Sequence, residues 1–366
     1  MKRLMIVMGT RPEAIKLCPP VCELKRRRNY EVSVVSTGQH RAMLDSALAA
    51  FSVKPDFDMN VMKAGIGTSE LTARILHATD RLLASEKPDA VMVQGDTASA
   101  FAAGLAAFYR SIPICHIEAG LRTYHMHSPF PEELHRQSIS LFADYHFAPT
   151  VTAKRNLLRE GKPESRIFIT GNTVVDALRL TLDGTQPSME WKIPESSRLL
   201  LFTAHRRESL GEQLREMLRA LRRIVEDTPD VIAIFPVHQN PEVRRAATEV
   251  LAGVPRIRMI EPPDTVSFHR LLAKAYLVLT DSGGIQEEAS ALGIPTIVMR
   301  YSSERTEGMR AGVLKLAGCS EEGIVTLAER LLLKESEEYA AMRKPSAVYG
   351  DGNASARIAD ILEKIL

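Results

Sequence analysis

The chain has 366 residues, of which 45% are hydrophobic and 25% charged, with a formal net charge of +2. That length allows two domains with sizeable cores, and the composition is that of a soluble globular protein. The small net charge gives no reason to expect a nucleic-acid or membrane partner, so any anion binding must be local. The first apolar run ends at Met8, before a proline and charges, which is too short for a signal peptide. No later stretch approaches a membrane span. Four cysteines (Cys18, Cys22, Cys115, Cys319) do not make a disulfide framework in a chain of this size, and the expected location is cytoplasmic.

Apolar, β-branched runs predict strands near 3–9, 31–37, 90–95, 113–118, 145–148 and 167–170. A second series follows near 198–204, 231–237, 257–260, 277–280 and 295–299. The intervals carry helical periodicity, as in SELTARILHATDRLLASEK and GEQLREMLRALRRIVED. Strands alternating with such helices predict an α/β protein with two Rossmann-like doubly wound domains. The polar, proline-containing stretch at 181–197, which holds the only tryptophan, separates the two series. The expected division is 1–180, 181–352 and a closing amphipathic helix, SARIADILEKIL, within 353–366.

Ligands of such sheets bind outside the carboxyl ends of the strands, so two facing edges would form a cleft. Arg11, Glu13 and Lys16 follow the first strand, Gln94-Gly95-Asp96-Thr97 the third, and Glu118-Ala119-Gly120-Leu121-Arg122 the fourth. In the second series the ends carry His205-Arg206-Arg207-Glu208, His238-Gln239-Asn240 and Asp281-Ser282-Gly283-Gly284. Singly, each reads equally well as a solvated loop charge or a helix-terminal residue. Ser282-Gly283-Gly284 leaves an apolar strand and opens a helix, a geometry suited to phosphate, with Glu287 and Glu288 placed to reach ribose hydroxyls. No Walker sequence occurs, and Gly65-Ile66-Gly67 lacks a third glycine. Arg11 and Lys16 are expected to approach the same diphosphate from the first domain. Cys18 with Cys22, and His125 with His127, lack further ligands at matching spacing, so no metal site is expected.

GTRPEAIK, TGQH, VQGDT, HIEAGLRT, SPFPEE, TAHRRE, PVHQNP, DSGGIQEE and YGDGNAS occur in this order between residues 9 and 355. Together they resemble the non-hydrolysing UDP-N-acetylglucosamine 2-epimerases, and the resemblance covers the whole chain. It implies a glycosyltransferase-B-type fold with two Rossmann-like domains flanking a cleft, the first carrying catalytic carboxylates and the second binding UDP. The closing helix would return to the first domain. The implied reaction interconverts UDP-GlcNAc and UDP-ManNAc without a cofactor, by elimination of UDP to 2-acetamidoglucal and its readdition. ManNAc so made would supply cell-surface polysaccharide. A UDP-sugar glycosyltransferase of the same fold, or a hydrolysing epimerase, is the alternative.

Carried over by this resemblance, Asp96, Glu118, Glu132 and His205 are the catalytic residues. Arg11, Lys16, Ser282, Gly283, Gly284, Glu288 and Arg305 bind the UDP-sugar, and Phe268 and the backbone around Pro263 form the uracil pocket. Many bacterial members are activated by a second UDP-GlcNAc; Gln39, Glu132, Arg206 and His238 match that site. Ala42 and Gly65 stand where some relatives carry Gln and Arg. The chain also departs from the family's ERPEG, with Thr306 for proline, and has His135-Arg136 where Asn-Arg is usual. A homodimer is implied by the resemblance alone.

Overall fold

The computed structural model describes residues 1–63, 65–184, 191–204, 206 and 209–366. His205, expected to be catalytic, and residues 185–190 of the stretch between the two strand series lie outside the described residues. The chain divides into two compact units, Met1–Gly184 with Gly350–Leu366, and Thr185–Tyr349.

In the first unit the strands are β1 (Lys2–Met8), β2 (Tyr30–Ser36), β3 (Phe57–Asp58), β4 (Ala90–Gln94), β5 (Ile114–Ile117), β6 (Tyr145–Ala148) and β7 (Ile167–Ile169). All neighbours are parallel, in the order β3-β2-β1-β4-β5-β6-β7. The alternation in β1 sends its side chains to two cores. Leu4, Ile6 and Met8 pack with Leu17, Val21 and Leu24 of the helix Arg11–Arg27, and with Ile358 and Leu362 of the helix Ala354–Ile365. Met5 and Val7 face Ala100, Ala103 and Ala107 of the helix Ala98–Tyr109. A sheet covered on both faces requires such continuous apolar strands.

The terminal helix belongs to the first unit, where its buried N-terminal N–H groups find an acceptor. Asp176 accepts hydrogen bonds from the backbone N–H of Ala354 at 3.2 Å and of Ser355 at 2.7 Å. Arg27 adds ion pairs to Asp360 at 2.5 Å and Glu363 at 3.1 Å.

The second unit contains β8 (Arg198–Thr203), β9 (Val231–Pro236), β10 (Ile257–Ile260), β11 (Leu277–Thr280), β12 (Thr296–Val298) and β13 (Leu314–Leu316). Their order is β10-β9-β8-β11-β12-β13, again parallel throughout. Leu200 and Phe202 enter one core with Met217 and Leu221, while Leu199 and Leu201 enter the other with Leu271 and Leu272. Phe202 meets Phe235 edge to face at 4.8 Å.

In each sheet the order reverses beside the first strand, between β1 and β4 and between β8 and β11. Such switch points open a crevice at the carboxyl ends of the strands. The short edge strands β3 and β13 were not expected. At two and three residues they are too brief to give a periodic signal, and they form by pairing with β2 and β12.

Candidate active site

The switch point of the first unit is lined by polar residues from the ends of β1, β4, β5 and β7. Glu118 follows β5 in a left-handed conformation, with φ of 62°. Its buried carboxylate accepts from Lys16 Nζ and Gln94 Nε2, and from Asn172 Nδ2 at 2.9 Å. A non-glycine residue held at such a φ is a strained position of the kind that clusters in active sites. Lys16, expected to face a diphosphate, sits against Glu118 in this structure, reaching from the helix after β1 past β4 to the end of β5. Arg11 begins the same helix with an exposed side chain.

Asp96, in the turn after β4, is engaged by Arg136. The guanidinium donates from Nε at 2.9 Å and from Nη2, both to Asp96 Oδ2. His135 donates its Nδ1–H to the Asp96 carbonyl at 2.9 Å and stacks on Phe101, with centroids 5.0 Å apart. The His135-Arg136 pair thus serves the turn that carries Asp96. The helix bearing these residues, Glu132–Phe142, follows cis peptide bonds at Ser128-Pro129 and Phe130-Pro131. Its buried Glu133 accepts from the backbone N–H of Thr123 and of Tyr124, each at 3.0 Å, fixing the loop after Glu118. Glu132 heads that helix half-buried. Gln39, from the effector set, accepts from Ser99 Oγ at 2.8 Å, while Ala42 and Gly65 are exposed.

Glu13 and Gln94 were read at strand ends without an assigned role, and Asn172 was not singled out. Asn172 follows β7, so extending the strand-end reading to that strand would have reached it. Glu13 is fully buried, and burial pushes its carboxyl up to about 7. Gly9, in the position where a dinucleotide fold keeps room for a ligand, is a glycine for a different reason here. A Cβ there would lie 2.1 Å from both Ser99 Oγ and Thr37 Oγ1, so the space is already filled by protein.

In the second unit, Ser282 occupies the N-cap position of the helix Gly283–Leu292, after the end of β11, without a side-chain capping bond. Arg305 lies against the start of this helix. A Cβ on Gly283 would come within 2.4 Å of the Arg305 Cζ, so any larger residue must push the guanidinium from this position. Arg305 Nε donates to Glu287 at 3.0 Å and Nη1 donates to Glu304. Glu304 also accepts from Arg300 Nη1 at 3.0 Å and has Arg206 Nη2 at 3.7 Å. Burial lowers the Arg300 value. Three guanidinium groups, those of Arg206, Arg300 and Arg305, thus gather among these carboxylates near the positive end of a helix dipole, where an anion is favoured.

Glu288 is buried beside His269 Nε2 at 3.5 Å. Phe268 is half-buried on the helix Thr265–Ala273, and Pro263, just before that helix, is buried. His238 follows β9 and accepts from the Asn240 N–H at 3.2 Å. Among the described residues no cluster of three or more His, Cys, Asp or Glu side chains is arranged to hold a metal ion. None of their helices is long and apolar enough to cross a membrane.

Two parallel α/β units with polar switch points define a protein of the glycosyltransferase-B class. Acinetobacter baumannii MurG shares this fold at 15% identity, with a TM-score of 0.61 and coverage of 100% of each chain. A family model described as UDP-N-acetylglucosamine 2-epimerase matches residues 22–363. The UDP-N-acetylglucosamine 2-epimerase of Bacillus subtilis (strain 168) is 50% identical, covering 98% of this chain and 94% of that protein. The structure of UDP-GlcNAc 2-epimerase from Neisseria meningitidis bound to UDP-GlcNAc superposes with a TM-score of 0.94 at 40% identity, covering 100% of both chains. This chain belongs to the UDP-N-acetylglucosamine 2-epimerase family.

Proposed function

We propose that the protein is a non-hydrolysing epimerase that inverts carbon 2 of UDP-GlcNAc to give UDP-ManNAc, reversibly and without a cofactor. The observation that carries this reading is Glu118, a buried carboxylate in a strained conformation at the β5 end, held by Lys16, Gln94 and Asn172. Hydrogen at carbon 2 is unactivated, so its removal must be coupled to departure of a good leaving group. A base takes the proton, the C–H electron pair forms the carbon 1–carbon 2 double bond, and the carbon 1–oxygen bond breaks with its electrons on UDP. Readdition of UDP, with the proton delivered to the opposite face, completes the inversion. Glu118 and Asp96 are the proton-transfer groups, with Glu132 and His205 completing the acid–base set.

UDP is bound in this reading by Ser282, Gly283, Gly284 and Arg305, with Arg11 and Lys16 on the diphosphate and Glu288 on the ribose. Phe268 and Pro263 take the uracil. The guanidinium groups of Arg206, Arg300 and Arg305, with the helix N-terminus at Gly283, support a departing diphosphate, which must be stabilised as its charge develops. A second UDP-GlcNAc at Gln39, Glu132, Arg206 and His238 is the proposed activator. The product ManNAc unit feeds cell-surface polysaccharide synthesis in the cytoplasm. A homodimer is supported by an exposed apolar face: Phe108, Tyr109, Leu134 and Leu141 lie on adjacent helices, with Phe108 and Phe142 rings 5.9 Å apart.

The test is incubation with UDP-GlcNAc in deuterated water. Epimerisation gives UDP-ManNAc carrying solvent deuterium at carbon 2. Free ManNAc as the main product identifies a hydrolysing enzyme instead, and an unlabelled, unchanged substrate refutes the proposal.

A further inference from the structure

Glu13 has no part in the chemistry above, yet its two carboxylate oxygens divide between two strand ends. Oε2 accepts from the Gly9 N–H at 3.0 Å and from Thr10 Oγ1 at 2.8 Å, both in the turn after β1. Oε1 accepts from Thr97 Oγ1 at 2.7 Å, in the turn after β4. The two threonines are themselves helix caps. Thr10 Oγ1 accepts from the Glu13 N–H at 3.5 Å, and Thr97 Oγ1 accepts from the Ala100 N–H at 3.0 Å. A capping-box glutamate ordinarily closes the helix it belongs to. This one closes its own helix and reaches the cap of another.

The two turns stand on either side of the switch point, since β1 and β4 are neighbours in the sheet. One turn leads into Arg11, and the other contains Asp96. Burial of a carboxylate is unfavourable, and the three donors compensate for it; an apolar side chain in its place would leave all three facing no acceptor. We infer that Glu13 is a positioning residue that fixes the spacing between Arg11 and Asp96, and so between diphosphate binding and proton transfer. The inference rests on the functional reading above, which assigns those two roles.

Because each oxygen serves a different turn, the two effects are separable by removing one hydroxyl at a time. Thr97→Val keeps the side-chain shape and removes the bond from the β4 turn to Glu13 together with the Thr97 helix cap, leaving the β1 turn bonded to Glu13. It should lower kcat at least ~10-fold, the scale of a small misplacement of a reacting group, with the Kd for UDP within about twofold of the wild type. Thr97→Ser, which restores the hydroxyl, should recover most of that loss. Thr10→Val should do the reverse, raising the Kd for UDP at least ~3-fold with a smaller change in kcat at saturation. Glu13→Gln should show both effects; if it does not fold, the two threonine variants decide alone.

The measurements are UDP calorimetry, steady-state epimerisation and melting temperature on each full-length variant. Unchanged kcat and Kd with only a lowered melting temperature would make Glu13 a structural cap and overturn the inference. So would loss of kcat and UDP affinity in the same proportion in both threonine variants. Asp96→Asn and Arg11→Ala serve as controls. If Asp96→Asn turns over normally and Arg11→Ala binds UDP normally, the functional reading itself fails; if the controls respond and the threonine variants do not, only the inference fails.

Discussion

His116 and His146 are cross-strand partners in the parallel register of β5 and β6, and both are buried. His116 Nε2 lies 2.8 Å from the Gly95 carbonyl, which can only accept, so that nitrogen carries the proton. Burial lowers His116 from 6.5 to about 4, with Arg122 adding to the effect and Asp96 and Glu118 opposing it. Burial lowers His146 to about 3, assisted by His116, Lys162, Arg122 and Arg166. Below pH 6.5 the unfolded chain therefore takes up two protons that the native chain refuses until about pH 4 and 3. Stability from these groups is complete above 6.5 and is lost as pH falls. Glu13 acts in the opposite sense, because its raised value means that the native state binds a proton first, between pH 7 and 4.5.

Integrated from pH 7.5 to 5, each histidine removes about 2 kcal/mol and Glu13 returns about as much as one of them, so the two histidines together outweigh Glu13. His146→Phe should cancel about 2 kcal/mol of that acid loss, making the first unit no less stable at pH 5 than at 7.5. Hydrogen exchange of the β5 and β6 amides in increasing urea, followed by mass spectrometry at both pH values, isolates this unit from the other. The same change in opening free energy in wild type and variant would refute the linkage. A wild type that gains stability on acidification would refute its sign.

Three further outcomes are expected. Glu118→Gln keeps the shape of the side chain but removes the base, so turnover and carbon 2 deuterium exchange should fall at least ~100-fold while UDP still binds by calorimetry. Gly283→Ala places a methyl 2.4 Å from the Arg305 guanidinium carbon, displacing a group held by Glu287 and Glu304. UDP affinity should drop ~10-fold or more, the value of one lost charged hydrogen bond, and an unchanged Kd would show that Arg305 does not serve UDP. In the effector reading, UDP-ManNAc alone reacts slowly and a trace of UDP-GlcNAc accelerates it. His238→Ala should reduce that acceleration more than the basal rate, and full-rate, lag-free reaction of UDP-ManNAc alone would exclude the activator.

The strands were legible because their signal is local. Leu4 to Met8, or Leu277 to Thr280, are apolar runs of strand length whatever lies beside them. β3 and β13 were not legible, because two or three residues become a strand only through the neighbour that pairs with them. The rim residues were visible as residues but not as partners. Lys16 and Glu118 are 102 positions apart, and Asn172 is 54 from Glu118, so nothing in either neighbourhood announces their meeting. Lys16 was legible as a cation expected at the diphosphate, but its pairing with Glu118 was not legible.

The conformation of Glu118 follows from the same separation of scales. HIEAGLRT contains a glycine two residues later, which is where local preference alone would place a left-handed residue, and Gly120 does take φ of 89°. Glu118 takes φ of 62° as well, at a cost of roughly 1–2 kcal/mol for a residue with a Cβ. Its carboxylate makes three hydrogen bonds, to Lys16, Gln94 and Asn172, and bonds to charged groups contribute about 1.5–3 kcal/mol each. Partners brought from the ends of three other strands therefore outweigh the local strain. Removing them one at a time should return residue 118 toward extended backbone before it unfolds the sheet.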